Sequence, residues 1–292
     1  MIFEQKVKQA KLTIAEETIA NFIIENRYHL KELSTRDIAR ETYTSSSSVV
    51  RLSQKLNYKG FDELKEDYIK ETTYLDSHFK KIDANTPFNE KHTIMQISNI
   101  MTSLMKETGD DTLSLIHHDT LQETINIIKN ANVIHMICNE NNLYQAHNFK
   151  YKMLRIGFHV HLEEFYGNQV YDTFLATPKD CAIVISYSGE SQKVLEPIKQ
   201  LKKSKIPIIA ITSIGENSLK KLSTQVLEIS TREKIHSKIA GFTSEYSINL
   251  ILNILYACVF SKYYEKNYLK IFDRNKKIEV NRKSFSDLLK ED

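Results

Sequence analysis

An α/β protein in two parts is predicted from this chain: an N-terminal all-helical domain, then a doubly wound sheet of five parallel strands covered by helices. Three observations predict it. The first 77 residues carry paired helix-start residues and apolar positions at helical spacing. From about Thr112 the texture changes to helical stretches alternating with short apolar runs. Two of those runs, CAIVIS (181–186) and IPIIAIT (206–212), are apolar on both faces, as strands of a parallel sheet buried on each side must be.

Composition bounds the rest. At 292 residues the chain is long enough for two domains, and seven Gly and four Pro do not suit a loop-rich architecture. A net charge of +3 is too small to attract nucleic acid in bulk, so any such contact must rest on a local patch. Cys138, Cys181 and Cys258 are far apart in apolar segments, without disulfide or zinc spacing, and read as small hydrophobes in a reducing compartment. The opening MIFEQKVKQAK lacks the apolar core of a secretory signal. The run 248–260 is too short to span a bilayer and contains Asn253. A cytoplasmic protein with no membrane association is expected.

In chain order, Thr13 and Glu16 form a capping box opening a helix through about Arg27, with Ile14, Thr18, Ile19, Phe22 and Ile23 on one stripe. Ser34 and Asp37 repeat the box for a short helix whose Ile38 and Ala39 face inward. A turn at 42–44 leads to a second short helix, capped by Thr44 or Ser45, that buries Val49, Leu52 and Leu56. Its opposite side carries Ser47, Val50, Arg51 and Gln54, flanked by Ser46, Ser48 and Lys55. No Asp or Glu occurs from Thr44 to Gly60, although first helical turns favour acids. An uncharged, serine-rich helix start offers N–H groups and hydroxyls to a phosphate. Arg51 suits a guanine edge or a phosphate, and Gln54 suits an adenine edge. Two short helices, a tight turn and an acid-free face make a helix-turn-helix rather than a merely solvated hairpin. The expected DNA-facing set is Thr35, Arg36, Ser45, Ser46, Ser47, Ser48, Arg51, Gln54, Lys55 and Lys59. The stretch 45–65, SSSSVVRLSQKLNYKGFDELK, resembles the N-terminal domain of the RpiR family of bacterial transcription regulators. One departure is Tyr43, at a turn that often carries Gly.

A helix over 61–74, packing through Phe61, Leu64, Tyr68 and Leu75, closes a first domain of residues 1–77. Residues 78–111 are expected to be a linker and a connecting helix over 92–107 that crosses to the second domain or pairs with another subunit. The second domain spans 112–270, and a charged tail fills 271–292. Within the second domain, strands are expected at 133–138, 159–162, 181–186, 206–212 and the run VLEI. Helices are expected at 113–129, 141–156, 169–176, 194–203, near 218 and over 243–264.

Ligands of such sheets sit beyond the carboxyl ends of strands. There the loop Ser186-Tyr187-Ser188-Gly189-Glu190-Ser191 combines hydroxyls, a glycine and a helix start into an anion cradle. Its order resembles the phosphosugar-binding signature of the SIS domain, with Ser191 where Thr is usual, and the likeness extends through 208–229 to the long apolar helix. The resemblance implies that Ser186, Ser188 and Ser191 hold a phosphate with backbone help from Gly189 and Glu190. After the first strand, where SIS domains usually place a Gly-rich turn with a Ser, the chain reads Cys138-Asn139-Glu140-Asn141-Asn142. Asn139 and Asn142 are therefore expected at the ligand, Asn142 in the Ser position. Glu140 beside a phosphate suits a cationic amino group on the ligand. Glu245 is a further candidate for a sugar contact, though a helix-start acid has its own reason to be there.

A helix-turn-helix followed by a SIS domain is the RpiR arrangement, and it implies a regulator of carbohydrate metabolism. Its partners would be double-stranded operator DNA and a phosphorylated sugar or amino sugar, with assembly as a homodimer or homotetramer. The alternative is an enzyme of the same fold, a sugar phosphate isomerase or amino sugar phosphate lyase, needing a base such as Glu140, Glu190, Glu245 or His236. An interaction adaptor is a third reading. His117, His118, His159 and His161 lack the further ligands a metal site needs, so neither a metal nor a cofactor is expected.

Overall fold

The computed structural model describes residues 3, 6–7, 10–27, 29–78 and 82–278, with side chains excepted at 73–78 and 140. The N-terminal helices are α1 (Ile14–Glu25), α2 (Thr35–Glu41), α3 (Ser46–Lys55) and α4 (Phe61–His78). Reciprocal capping boxes open α1 at Thr13/Glu16 and α2 at Ser34/Asp37, and the Ser45 hydroxyl caps α3 by accepting from Ser48 N–H. Tyr43 takes the left-handed conformation (φ 52°) between α2 and α3. The amide of Tyr43 bonds Arg40 O, and that of Thr44 bonds Ala39 O. This is a Schellman ending with tyrosine where glycine is usual. Hydrogen bonds to the carbonyls of α2 hold the turn without a glycine.

Ile19, Ile23, Leu30, Ile38, Val49, Leu52, Leu56, Phe61, Leu64 and Tyr68 form one buried core under these helices. The α1 stripe is shorter than its spacing suggests. Ile14 is 84% exposed and Thr18 is also exposed, because only the C-terminal half of α1 reaches the core. The expected packing residue Leu75 lies outside the described side chains, as does the charged tail beyond 278.

The second domain follows with α5 (Ile94–Ser114), α6 (His118–Asn130), β1 (Val133–Cys138), α7 (Leu143–Ile156), β2 (His159–Leu162), α8 (Tyr166–Asp172), β3 (Cys181–Ser186), α9 (Gln192–Lys203), β4 (Ile208–Ser213), α10 (Ser218–Leu222), β5 (Gln225–Ile229), α11 (Phe242–Ser261) and α12 (Tyr264–Ile278). All four pairings are parallel, in the order β2-β1-β3-β4-β5. The chain reverses its winding between β1 and β3, so the crevice beyond those strand ends is the topological switch point. The core on one face unites β-strand residues with Ile125, Phe149, Ile251 and Leu255; that on the other unites them with Val194, Ile198 and Leu219.

Several boundaries differ from the sequence expectation: the helix expected over 169–176 spans Tyr166–Asp172, and the strand expected over 206–212 spans Ile208–Ser213. The connecting helix runs to Ser114, so the next helix starts at His118 rather than 113, after a break at 115–117. A Thr93/Gln96 capping box starts α5, and its C-terminal half buries Leu104, Thr108, Asp111 and Thr112, with Thr112 bonding Ser247 and Asp111 bonding Ser230. The last long helix is two, because Lys262 ends α11 and α12 begins at Tyr264.

Candidate functional site

On α3, Ser47, Arg51 and Gln54 are exposed while Val49, Leu52 and Ser53 are buried. Arg51 donates to the Ser48 hydroxyl (3.1 Å), and no acidic group is paired with it among the described contacts. Lys55 differs: it holds an ion pair with Glu16 (2.6 Å), which with the Thr13 hydrogen bonds keeps that carboxyl below its ordinary range. Arg36 and Lys59 are exposed and Thr35 is half-buried beside this face. Ser45 and Ser48 bond each other (2.9 Å), and Ser46 is half-buried. The solvent side of α3 thus offers hydroxyls, an amide and a guanidinium.

In the second domain a cavity of about 270 Å³ opens at the switch point. Asn139, Asn141 and Asn142 line it from the loop after β1, and Ser186, Tyr187 and Ser188 from the end of β3. Ile235, Lys238 and Gly241 come from the loop before α11, and Ser244, Glu245 and Ile248 from α11 itself. Five residues expected at the ligand, Asn139, Asn142, Ser186, Ser188 and Glu245, therefore share one cavity. The other three stand behind it. Gly189 is left-handed (φ 66°) and its carbonyl accepts from Leu219 N–H (3.1 Å). Glu190 turns its carboxylate to Ser218 N–H (2.8 Å), at the start of α10. Ser191 and Asn139 are hydrogen-bonded (3.2 Å), tying the loops after β1 and β3 together. The side chain of Glu140 lies outside the described residues.

The wall facing these loops was not foreseen. Glu233 is buried and accepts from Thr243 N–H (2.5 Å), Thr243 Oγ1 (2.8 Å), Ser244 N–H (3.1 Å), Ser244 Oγ (2.6 Å) and Lys238 Nζ (2.8 Å). Burial alone would raise its carboxyl pKa, but hydrogen bonds from Lys238 and Ser244 outweigh that and hold it below the ordinary value. The Tyr187 hydroxyl donates to Glu233 O (2.6 Å) and accepts Glu233 N–H (3.1 Å), joining the β3 loop to this wall. Lys238 stands over the Tyr187 ring, 4.9 Å from its centroid. Glu245 is pushed above the ordinary carboxylate range by burial and by the Glu233 charge. The cavity therefore offers hydroxyl and amide groups, one ammonium held by a buried carboxylate, and one carboxyl inclined to keep its proton.

The histidines separate. His161 lies 3.1 Å from Asp172 and 3.3 Å from Glu163, while His159 and His118 are exposed. A buried partner that spacing did not single out, His135, bonds the other oxygen of Asp172 (2.7 Å). Among the described residues no three His, Cys, Asp or Glu groups could hold a metal ion. Nor is any described helix long and apolar enough to cross a membrane. His236, named as a conceivable base, is exposed outside the cavity lining. Burial pushes the thiols of Cys138 and Cys181 up to about 12.

Comparison with known proteins matches residues 3–73 to the helix-turn-helix domain of the rpiR family and residues 128–258 to the SIS domain. An uncharacterised HTH-type transcriptional regulator of Caldanaerobacter subterraneus subsp. tengcongensis is 25% identical over 255 residues, 87% of this chain and 88% of that one. The Vibrio vulnificus NanR protein, solved in complex with ManNAc-6P, has a similar fold (TM-score 0.62, 20% identity, 94% of this chain and 96% of that one). So does the sugar isomerase domain of an RpiR transcription factor from Sphaerobacter thermophilus (TM-score 0.55, 14% identity, 62% and 99%).

Proposed function

Since the chain belongs to the rpiR-type regulators, with that family's helix-turn-helix domain ahead of a SIS domain, we propose that it is a DNA-binding regulator of carbohydrate metabolism whose operator binding responds to a phosphorylated sugar. The observation that carries this reading is the pairing, in one chain, of an acid-free exposed face on α3 with a hydroxyl- and amide-lined cavity at the switch point. Residues 1–77 read DNA, 78–111 connect and 112–270 hold the effector, the last helix running on to Ile278 rather than ending at 270. The protein acts in the cytoplasm as a homodimer or homotetramer. Two α3 helices then meet successive major-groove faces of a pseudo-palindromic operator.

In the cavity, Ser186 and Ser188 receive the phosphate, with Gly189 and Glu190 contributing backbone. Ser191 with Asn139 fixes the spacing of the two loops. Asn142, Lys238, Ser244 and Glu245 face the sugar, and the Glu245 carboxyl suits a hydroxyl, an N-acyl or an amino group. The chemistry is that of recognition, not turnover. A second reading, sugar phosphate isomerisation, is favoured by one observation: Glu245 is a cavity carboxyl with a raised pKa, the property of a general base. Release of an isomerised product from an aldose phosphate panel would support it.

The test is selection of operator fragments from genomic DNA, then anisotropy titration at one fixed salt concentration with and without ManNAc-6P and other sugar phosphates. A shift of DNA affinity with one of them is expected, and none with any would refute the reading. Arg51→Ala is expected to weaken specific binding about ten-fold or more while leaving the melting temperature in place. Parent-like affinity would remove Arg51 from the interface. Ser188→Ala is expected to weaken sugar phosphate binding by about ten-fold, the loss of one charge-assisted hydrogen bond, with ligand-free DNA affinity unaltered. Equal calorimetric affinity in variant and parent would exclude the cradle.

A further inference from the structure

Residues 232–241 line the cavity through Ile235, Lys238 and Gly241 but form neither helix nor strand, so side-chain anchors set their shape. Glu233 is the anchor on the cavity side. The anchor on the opposite side is the stretch that leads from the helix-turn-helix domain. Asn85 accepts Lys234 N–H on its Oδ1 (2.6 Å), accepts Ile239 N–H on its main-chain carbonyl (3.0 Å) and reaches Arg232 O through Nδ2 (3.4 Å). One side chain and its peptide thus clamp both ends of the segment that holds Ile235 and Lys238. Asp83 fixes Asn85 in turn, accepting from its N–H and from its Nδ2 (2.9 Å each). Arg232 closes the other flank, bonding Ile82 O (2.8 Å) and pairing with Glu107 (2.9 Å). Phe88 meets Phe242 with ring centroids 6.3 Å apart.

We propose that residues 82–88 are a strap that reports occupancy of the cavity to the DNA-reading head, with Asn85 as its latch. This rests on the reading of the cavity as the effector site. A phosphate or sugar oxygen near Lys238 competes with Glu233 for the ammonium. Lys238 sits between the two amides that Asn85 clamps, so its displacement changes the distance those amides span. The strap then tightens or lets go, and with it the chain toward α4. An effector that binds the two strap arrangements unequally shifts the equilibrium between them, as control of DNA affinity requires.

Hydrogen exchange by mass spectrometry on the full chain tests this, with ManNAc-6P as probe and inorganic phosphate as control. In the parent protein the probe is expected to change exchange about five-fold or more in peptides covering both 232–241 and 82–88. In Asn85→Ala the change persists in 232–241 and vanishes in 82–88. An unresponsive 82–88 in the parent, or an equal response in Asn85→Ala, overturns the strap. Asn85→Ser takes the place of Asn85→Ala if the latter melts early. Absence of heat with any sugar phosphate counts against the effector reading instead. The strap is then judged by Lys238→Met, which breaks the Lys238–Glu233 contact without a ligand: faster exchange at 82–88 upholds it, and parent-like exchange there overturns it.

Discussion

Glu233→Ala is expected to destabilise the second domain by about 3–5 kcal/mol, the cost of breaking a buried ion pair by removing one partner. Glu233 accepts from five groups, and four of these belong to Thr243 and Ser244 in the first turn of α11. Those N–H groups have no partner within the helix, so the carboxylate is the cap that α11 otherwise lacks; Gly241 supplies none. Its removal also leaves the Lys238 ammonium beside the Tyr187 ring without its counter-charge. Urea unfolding of the full chain, fitted for each domain, measures the loss, and a change below about 1 kcal/mol would show that water replaces the carboxylate at little cost. The pH dependence has a definite sign. A carboxyl held below its unfolded value stabilises fully above that value, near 4.5, and the contribution is lost as pH falls through the folded pKa. Glu245, raised in the fold, acts in the opposite sense, because its proton is held more tightly folded than unfolded. Because the Glu233 charge also raises Glu245, the first effect is isolated by comparing Glu233→Gln with its parent below neutral pH when both carry Glu245→Gln.

The parts of this molecule legible in its sequence are those whose causes are local or repeated. Ser34 with Asp37, and Thr13 with Glu16, announce helix starts because each box closes within four residues. The strands CAIVIS and IIAIT are readable because burial on both faces leaves polar residues only at their carboxyl ends. Ser186 and Ser188 stand out because a strand end, a glycine and a helix start coincide there. Glu233 gave no such signal. It follows a short strand in the run STREKIHSK, and its meaning lies in Thr243 and Ser244, ten and eleven residues on, once the loop has folded back. Asn85 is less legible still: its partners are about 150 residues away, and the sequence around it, with a proline and no periodicity, reads as a plain linker. His135 was hidden for a related reason. Inside an apolar strand run it passes as an interruption until Asp172 closes beneath it from another helix. Local chemistry thus located the loops after β1 and β3 that line one side of the cavity, while the opposite wall depends on contacts made only in the folded chain.

Gly189→Ala is expected to cost about 2–3 kcal/mol, the sum of roughly 1–2 for a left-handed residue with a Cβ and about 1 for a displaced helix cap. The cap belongs to Asn217. Its Oδ1 accepts Lys220 N–H at the start of α10 (2.9 Å), and its Nδ2 donates to the buried Thr212 hydroxyl (3.1 Å). A Cβ on Gly189 would lie closer than 3.0 Å to three side-chain atoms of Asn217, which is itself buried and would lose both hydrogen bonds by swinging aside. Because Gly189 joins Ser188 to Glu190, the same displacement moves the cradle, so sugar phosphate affinity is expected to fall about ten-fold or more alongside stability. The two costs separate in a double-mutant cycle with Asn217→Ala. If the clash dominates, the double variant loses less than the sum of the singles by about 1 kcal/mol, because the atom in the way is gone. If the backbone conformation dominates, the losses add. Parent-like stability in Gly189→Ala alone would mean that the loop refolds freely, and an anion cradle that refolds freely could not hold Ser186 and Ser188 at the spacing a phosphate needs.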